Sequence, residues 1–151
     1  MDSTKHLEEI EEKIKEKLYP WRKFTIAIDG FDGAGKSPLG RYLSWKLQVP
    51  LIETDLLIIS HSKPVNFDLE CLQKLVNARH SLDRPVIVEG IKILETLKNI
   101  NIDPDFLVFV ENLGFSGSHS LESEIKEYLS KFKSKEKAVF LYQWKKNYEF
   151  S

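Results

Sequence analysis

The 151-residue chain has little of what marks several classes of protein. Its single cysteine, Cys71, excludes a disulfide framework and gives no metal-ligand spacing. No apolar run approaches the roughly 18 residues of a membrane-spanning helix, and the charged start of the chain is unlike a secretory signal. The formal net charge of −1 argues against a face that binds nucleic acid. We therefore expect a cytoplasmic protein that binds neither membranes nor nucleic acids.

The composition is typical of a globular domain. Hydrophobic residues make up 42% of the chain and charged residues 30%, which is the ordinary range for such proteins. A length of 151 residues suits one domain and leaves no room for a second of full size. In residues 1–20, apolar side chains recur at helical spacing and Pro20 follows them. We predict a single domain over 1–151 that begins with an amphipathic helix over 1–20.

Short apolar runs alternate with helical patterns along the rest of the chain. The predicted strands lie at 24–28, 51–54, 86–88, 106–110 and 138–142, with a helical pattern between each and the next. Such alternation with short connections predicts an α/β protein of three layers, with a parallel sheet of about five strands flanked by helices. Ligands of such sheets bind beyond the carboxyl ends of the strands.

Residues 30–37, Gly-Phe-Asp-Gly-Ala-Gly-Lys-Ser, fit the phosphate-binding pattern G-x-x-x-x-G-K-[S/T] at every fixed position. The three glycines allow successive backbone N–H groups to point inward and form an anion site. Lys36 would reach the β- and γ-phosphates of a nucleotide, and the Ser37 hydroxyl would ligate Mg²⁺. The alternative is that the glycines only make a tight connection and that Lys36 is solvated.

This pattern lies between a predicted strand and a predicted helix. In that position the loop would hold an anion at the start of the helix. The strand over 24–28 ends at Asp29, and Pro38 would lie in the first helical turn, where a missing N–H is tolerated. The phosphates would then lie at the positive end of the helix. We predict that the following residues bind the nucleotide: Gly30, Asp32, Gly33, Ala34, Gly35, Lys36, Ser37 and Pro38.

Acidic residues are predicted to lie at the same edge of the sheet as this loop. Glu89 ends a predicted strand and is a candidate Mg²⁺ ligand facing Ser37, or else a hydrogen-bonded turn carboxylate. Asp55 would accept the proton of a substrate hydroxyl or hold that hydroxyl in line, and the alternative is a helix-capping residue. Asp32 lies within the loop and would bind a substrate hydroxyl or remain solvated.

In these segments the chain resembles the small P-loop kinases, and among them the uridine-kinase-like nucleoside kinases. The resemblance runs from about residue 24 to residue 110. Residues 26–37 are also similar to the opening of thymidylate kinases, whereas residues 52–55 and 85–90 are more similar to uridine kinases.

The resemblance implies a P-loop NTPase sheet with the phosphate-loop strand at its centre, and transfer of the ATP γ-phosphoryl group to a small acceptor. It implies that Lys36 and the loop amides hold phosphate, that Ser37 and Glu89 serve Mg²⁺, and that Asp55 engages the acceptor. Lys36 and Asp55 are thus the catalytic candidates. The implied cofactors are ATP and Mg²⁺, and the implied partner is a small-molecule phosphoryl acceptor.

The chain departs from this family at two places. Such kinases usually have an arginine-rich closing segment after the strand predicted to end at Val110, and this chain has no arginine after Arg84. Pro38 stands where the family normally has threonine or another residue with an N–H. Three hypotheses follow: a kinase of a nucleoside or another small hydroxyl-bearing metabolite, a nucleotide-binding regulatory or interaction module, and an NTP hydrolase.

Overall fold

The computed structural model describes residues 3–60, 64–114 and 117–145, so the first two residues of the predicted helix over 1–20 lie outside it. The α-helices are α1 (Ser3–Leu18), α2 (Lys36–Leu47), α3 (Leu69–His80), α4 (Ile93–Lys98), α5 (His119–Phe132) and α6 (Ser134–Lys137), and a 3₁₀ helix spans Thr54–Leu57. The strands are β1 (Phe24–Gly30), β2 (Leu51–Glu53), β3 (Ile58–Ser60), β4 (Asn66–Phe67), β5 (Pro85–Glu89), β6 (Phe106–Asn112) and β7 (Phe140–Trp144).

Five strands form one sheet in the order β2-β5-β1-β6-β7. Every neighbouring pair in it is parallel, and β1 lies at the centre between β5 and β6. The predicted parallel sheet of about five strands, with the phosphate-loop strand in the middle, is therefore confirmed. Because all five strands run the same way, their carboxyl ends meet at one edge of the sheet.

Helices cover both faces of this sheet, which gives the three predicted layers. Ile26 and Ile28 of β1 point to one face and pack against α1 and α2, whereas Ala27 points to the other face and packs against α3 and α4. Both sets are fully buried, as expected for a strand covered on two sides. The central, buried position of β1 fixes the place from which the glycine-rich loop departs.

A smaller unit closes the carboxyl edge of the sheet. Strands β3 and β4 pair in an antiparallel hairpin, which the sequence analysis did not predict. Val65 beside the hairpin packs with Ile91 and with Ile125 of α5 in a separate apolar cluster. The hairpin and α5 therefore form two walls next to the loop.

The fifth strand begins two residues later than its predicted start at residue 138. The backbone N–H of Ala138 donates to the Ser134 carbonyl, so Ala138 completes the short helix α6, which was not predicted. Pairing with β6 then extends the strand to Trp144. The shift matters because it brings Trp144 to the carboxyl edge of the sheet.

Among the helices of the described ranges, none combines the length and the apolar character that a membrane span requires.

Candidate functional site

The loop after β1 wraps around the side chain of Lys36, the first residue of α2. Lys36 is only 7% exposed. Its ammonium donates hydrogen bonds to the carbonyls of Gly30 at 3.1 Å and Phe31 at 2.6 Å. Gly35, just before the helix, has the left-handed φ of 100° that brings the chain into α2. The loop thus holds one cation at a helix N-terminus, where an anion is also favoured.

Electrostatics around Lys36 are set by burial and by nearby carboxylates. Burial lowers the pKa of the Lys36 ammonium, and the negative charges of Asp29, Glu89 and Asp55 oppose that shift. The two direct hydrogen-bond partners of this ammonium are uncharged backbone carbonyls. Polyphosphate oxygens would be stronger acceptors, because they carry negative charge.

Ser37 and Glu89 meet at the carboxyl edge of the sheet. The Ser37 hydroxyl donates to Oε1 of Glu89 at 2.8 Å. Glu89 is the last residue of β5 and is 1% exposed, and its burial raises the pKa of the carboxyl group. A hydroxyl and a carboxylate are the hard oxygen donors that Mg²⁺ takes in combination with phosphate oxygens. The pair therefore fits that cation.

Asp55 lies on the 3₁₀ helix that follows β2. The preceding residue, Thr54, is fully buried, and its hydroxyl donates to the Glu89 carbonyl at 3.0 Å. A Cβ atom on Gly90 would lie 1.7 Å from that hydroxyl oxygen, so only glycine leaves room for the contact. The Asp55 side chain itself is exposed, and its charge raises the pKa of Glu89 after the larger effect of burial. The fold thus fixes the backbone of Asp55 and leaves its carboxylate available.

Asp32 contacts the start of α5. One carboxylate oxygen accepts a hydrogen bond from the Ser118 backbone N–H at 3.0 Å. The other oxygen is buried and has no hydrogen-bond partner within the part of the chain that the structure describes. Asp32 therefore joins the loop to the start of α5.

One cavity of about 660 Å³ brings most of the predicted site residues together. The loop side consists of Asp32, Gly33, Gly35, Lys36, Ser37 and Pro38, with Glu89 and Asp55 beside them. The apolar side chains of Ile58, Val65, Ile91 and Leu121 also line the cavity. Gly30 and Ala34 are buried and do not line the cavity. This volume is within the range of pockets that bind small molecules and cofactors.

Comparison with known proteins shows which sequences and folds this chain is similar to. No protein-family model matches the chain. A cytidylate kinase from Sulfolobus acidocaldarius is 30% identical over 78 residues, which are 52% of this chain and 43% of that protein. A solved structure described as a possible uridine kinase from Bacillus stearothermophilus superposes with a TM-score of 0.68 at 16% identity, covering 94% of this chain and all of the other.

The chain has the three-layer α/β fold of a P-loop kinase. A shikimate kinase from Bacteroides thetaiotaomicron aligns less well, with a TM-score of 0.44 at 19% identity over 80% of this chain and 86% of that one. The chain spans less than half the length of its curated cytidylate kinase relative. The likeness to the uridine kinase-like structure therefore confirms the P-loop kinase fold, and the roles of individual residues stay predictions.

This P-loop kinase fold contains a site residue that the sequence analysis missed, Trp144. Its indole N–H donates to the Ala34 carbonyl at 2.6 Å. A Cβ atom on Gly35 would lie 2.5 Å from the indole ring, so the ring rests directly on the loop. Trp144 is the last residue of β7, and ligands of parallel sheets bind beyond the carboxyl ends of the strands. That rule could have indicated Trp144, but the predicted strand stopped at residue 142.

Asp29 is the second missed residue. Its carboxylate is completely buried directly before the loop, and its hydrogen-bond partners come from Gly30, Tyr128 and Ser134. The sequence offered one signal, an acidic residue between a buried strand and the loop. It offered none for the two hydroxyl partners.

Proposed function

We propose that the protein is a Mg²⁺-dependent, ATP-binding kinase that phosphorylates a hydroxyl group of a nucleoside or another small metabolite. The observation that carries the proposal is the joint placement of Lys36, the Ser37–Glu89 pair and Asp55 around one cavity at the carboxyl edge of the sheet. Donor and acceptor would thus lie side by side in a shared, partly apolar space.

On the donor side, the chain's own groups bind and orient the triphosphate. Lys36 exchanges its contacts with the Gly30 and Phe31 carbonyls for phosphate oxygens, which are stronger, charged acceptors. Phosphoryl transfer needs positioning and charge neutralisation above all, and a preorganised ammonium in a sheltered loop supplies both. Pro38 contributes no N–H, so one donor fewer is available at this helix start.

Ser37 and Glu89 would hold Mg²⁺, which when bound neutralises charge on the phosphate oxygens. Their hydrogen bond keeps hydroxyl and carboxylate together at the position that the pair would present to the cation. Glu89 is fixed by its place at the end of a buried strand, so little reorganisation is needed.

On the acceptor side, Asp55 would orient the hydroxyl and take up its proton. The hydroxyl oxygen bonds to the γ-phosphorus as the bond from that phosphorus to the β,γ-bridging oxygen breaks and ADP leaves. The Asp55 carboxylate is exposed and belongs to a backbone segment anchored by Thr54. Asp32 lines the same cavity and would bind another hydroxyl of the substrate.

A second candidate function is a nucleotide-binding module with little or no transfer. One specific observation favours it: residues 113–151, which follow β6, contain no arginine, the residue type expected in a closing segment. An arginine that stabilises the transition state contributes about 10³–10⁵ in rate in related systems.

Asp55→Ala is expected to abolish phosphorylation of the acceptor while nucleotide binding persists, because Asp55 is assigned to the hydroxyl and not to the loop. The measurement is transfer of labelled γ-phosphate to a panel of nucleosides, sugars and nucleoside monophosphates. The control is Asp103→Ala. It removes an exposed carboxylate that precedes the amino end of β6 and so lies away from the carboxyl edge of the sheet. Nucleotide binding with no transfer to any acceptor in the wild type would favour the module instead.

Mg²⁺ is expected to increase the affinity for ATP, and in Glu89→Gln this increase should be about tenfold smaller than in the wild type. The reason is that the amide is a poor Mg²⁺ ligand, although it can still accept a hydrogen bond from Ser37. Calorimetric titrations of ATP with and without Mg²⁺ would measure this. Glu70→Gln, an exposed change on α3, should leave the gain intact. An equal Mg²⁺ effect in both variants would remove Glu89 from the metal site.

A further inference from the structure

Three buried side chains meet beneath the phosphate-binding loop. Asp29, at 0% exposure, accepts hydrogen bonds from the Tyr128 hydroxyl at 2.6 Å and from the Ser134 hydroxyl at 2.5 Å. Tyr128 is 4% exposed and Ser134 is completely buried. The Tyr128 oxygen in turn accepts from the Leu94 backbone N–H at 3.0 Å, so the cluster is internally satisfied.

A turn between α5 and α6 brings the two hydroxyl groups to Asp29. Lys133 has a left-handed conformation with φ of 54°, which ends α5 and starts α6 at the next residue. The turn places Tyr128, near the end of α5, and Ser134, at the start of α6, on the same carboxylate oxygen. Burial raises the pKa of the Tyr128 phenol far above its usual range, so the hydroxyl keeps its proton and donates it.

From Asp29 the contacts continue into the loop. The second oxygen of Asp29 accepts from the Gly30 backbone N–H at 2.9 Å. The Gly30 carbonyl accepts from Lys36 at 3.1 Å, so both sides of Gly30 are held. The negative charge of Asp29 also opposes the lowering of the Lys36 pKa by burial. A buried carboxylate is costly, and an apolar residue would satisfy the sheet at this position at less cost.

We propose that Tyr128 and Ser134 are positioning residues for nucleotide binding, acting through Asp29 on the backbone N–H of Gly30, the first residue of the loop. The inference rests on the proposed function, because it needs the loop to bind a nucleotide. It assigns to α5 and α6 the task of holding the loop in its phosphate-binding shape. The competing explanation is that the cluster contributes only to the stability of the fold.

Tyr128→Phe and Ser134→Ala each remove one hydrogen bond to the carboxylate. Each is expected to weaken Mg-ATP binding by about tenfold, because a hydrogen bond that orients the Asp29 carboxyl group is lost and the loop is less firmly held. Isothermal calorimetry at a temperature where every variant is folded measures the dissociation constant. Tyr128→Phe also removes the acceptor of the Leu94 N–H, so it is the variant more prone to unfold. Ser134→Ala provides the test if Tyr128→Phe fails to fold.

The matched control is Thr25→Val, which removes a buried hydroxyl contact with His80 at the other end of β1. We expect it to lower the melting temperature and leave the dissociation constant unchanged. A second readout is the amide resonance of Gly30, whose proton chemical shift reports the bond to Asp29. It should move in the Tyr128 and Ser134 variants and stay in place in Thr25→Val.

The outcomes separate the two proposals. Wild-type binding with equal dissociation constants in all variants would overturn the positioning role and leave the proposed function standing. Absence of Mg-ATP binding by the wild type would overturn the proposed function and the inference with it. Weaker binding confined to the Tyr128 and Ser134 variants supports both.

Discussion

Lys36→Ala should show no rise in melting temperature with Mg-ATP, whereas the wild-type chain should show one. At a nucleotide concentration of about 100 times the dissociation constant, binding stabilises the folded state by about 2.7 kcal/mol. For a domain of this size that corresponds to a shift of roughly 5–10 °C. Lys36 is the buried cation of the loop, so its loss removes the charge that the phosphates would meet. Thermal unfolding followed by fluorescence with and without Mg-ATP measures the shift.

The control for this variant is Lys74→Ala, which removes an exposed lysine that pairs with Glu70 on α3. We expect it to retain the full shift, because surface ion pairs contribute little and α3 does not line the cavity. A Lys36→Ala protein that is still stabilised by Mg-ATP to the wild-type extent would contradict the assigned nucleotide site.

Gly30→Ala is expected to destabilise the fold by about 3–5 kcal/mol, a loss at the upper end for single substitutions. Gly30 has a φ of 151°, which side chains rarely adopt. A Cβ atom there would lie 2.4 Å from the backbone carbonyl oxygen of Val110, its partner in the neighbouring strand β6. Neither strand can move aside without breaking the sheet. Chemical denaturation of the two proteins measures the difference in free energy of unfolding.

Gly114→Ala provides the matched comparison. A Cβ atom on Gly114 would meet its nearest neighbour, the Lys145 side chain, at an ordinary 3.5 Å. We expect a change in the free energy of unfolding within about 0.5 kcal/mol, as for most surface substitutions. Equal stability of Gly30→Ala and Gly114→Ala would mean that the backbone of the loop is less constrained than these contacts indicate.

The sequence predicts the sheet and the loop because their signals are local. The buried strand, the three glycines and Lys36 stand within 13 consecutive positions, 24–36, and each residue type has a defined mechanical reason to be there. The carboxylates Asp55 and Glu89 could be predicted as well, since both follow apolar runs whose ends must share one edge.

The remaining site residues depend on contacts between distant parts of the chain. Tyr128 lies 99 residues from Asp29 and Ser134 lies 105 residues from it, and no local pattern indicates that their hydroxyls turn inward. Helical spacing in the segment of Tyr128 indicates which face its ring occupies and does not indicate where its hydroxyl points. Trp144 escaped prediction because α6 shifts the register of the last strand.

The hairpin of β3 and β4 was unpredictable for a different reason. An apolar run at residues 57–59 fits a strand or a buried helix segment equally well, and such short runs carry no decisive period. Only the pairing of Ile58 with Phe67 and the packing against α5 select the strand.

The strand order has a consequence for how the protein is made. Of the four pairings in the sheet, only β6 with β7 joins strands adjacent in the chain, so most of the sheet depends on closing long loops. The contact between Ala34 and Trp144 spans 110 residues. During synthesis from the amino end, the glycine-rich loop therefore emerges long before the indole that covers it. Ribosome-bound chains should form the contact between Ala34 and Trp144 only after β7 has left the exit tunnel.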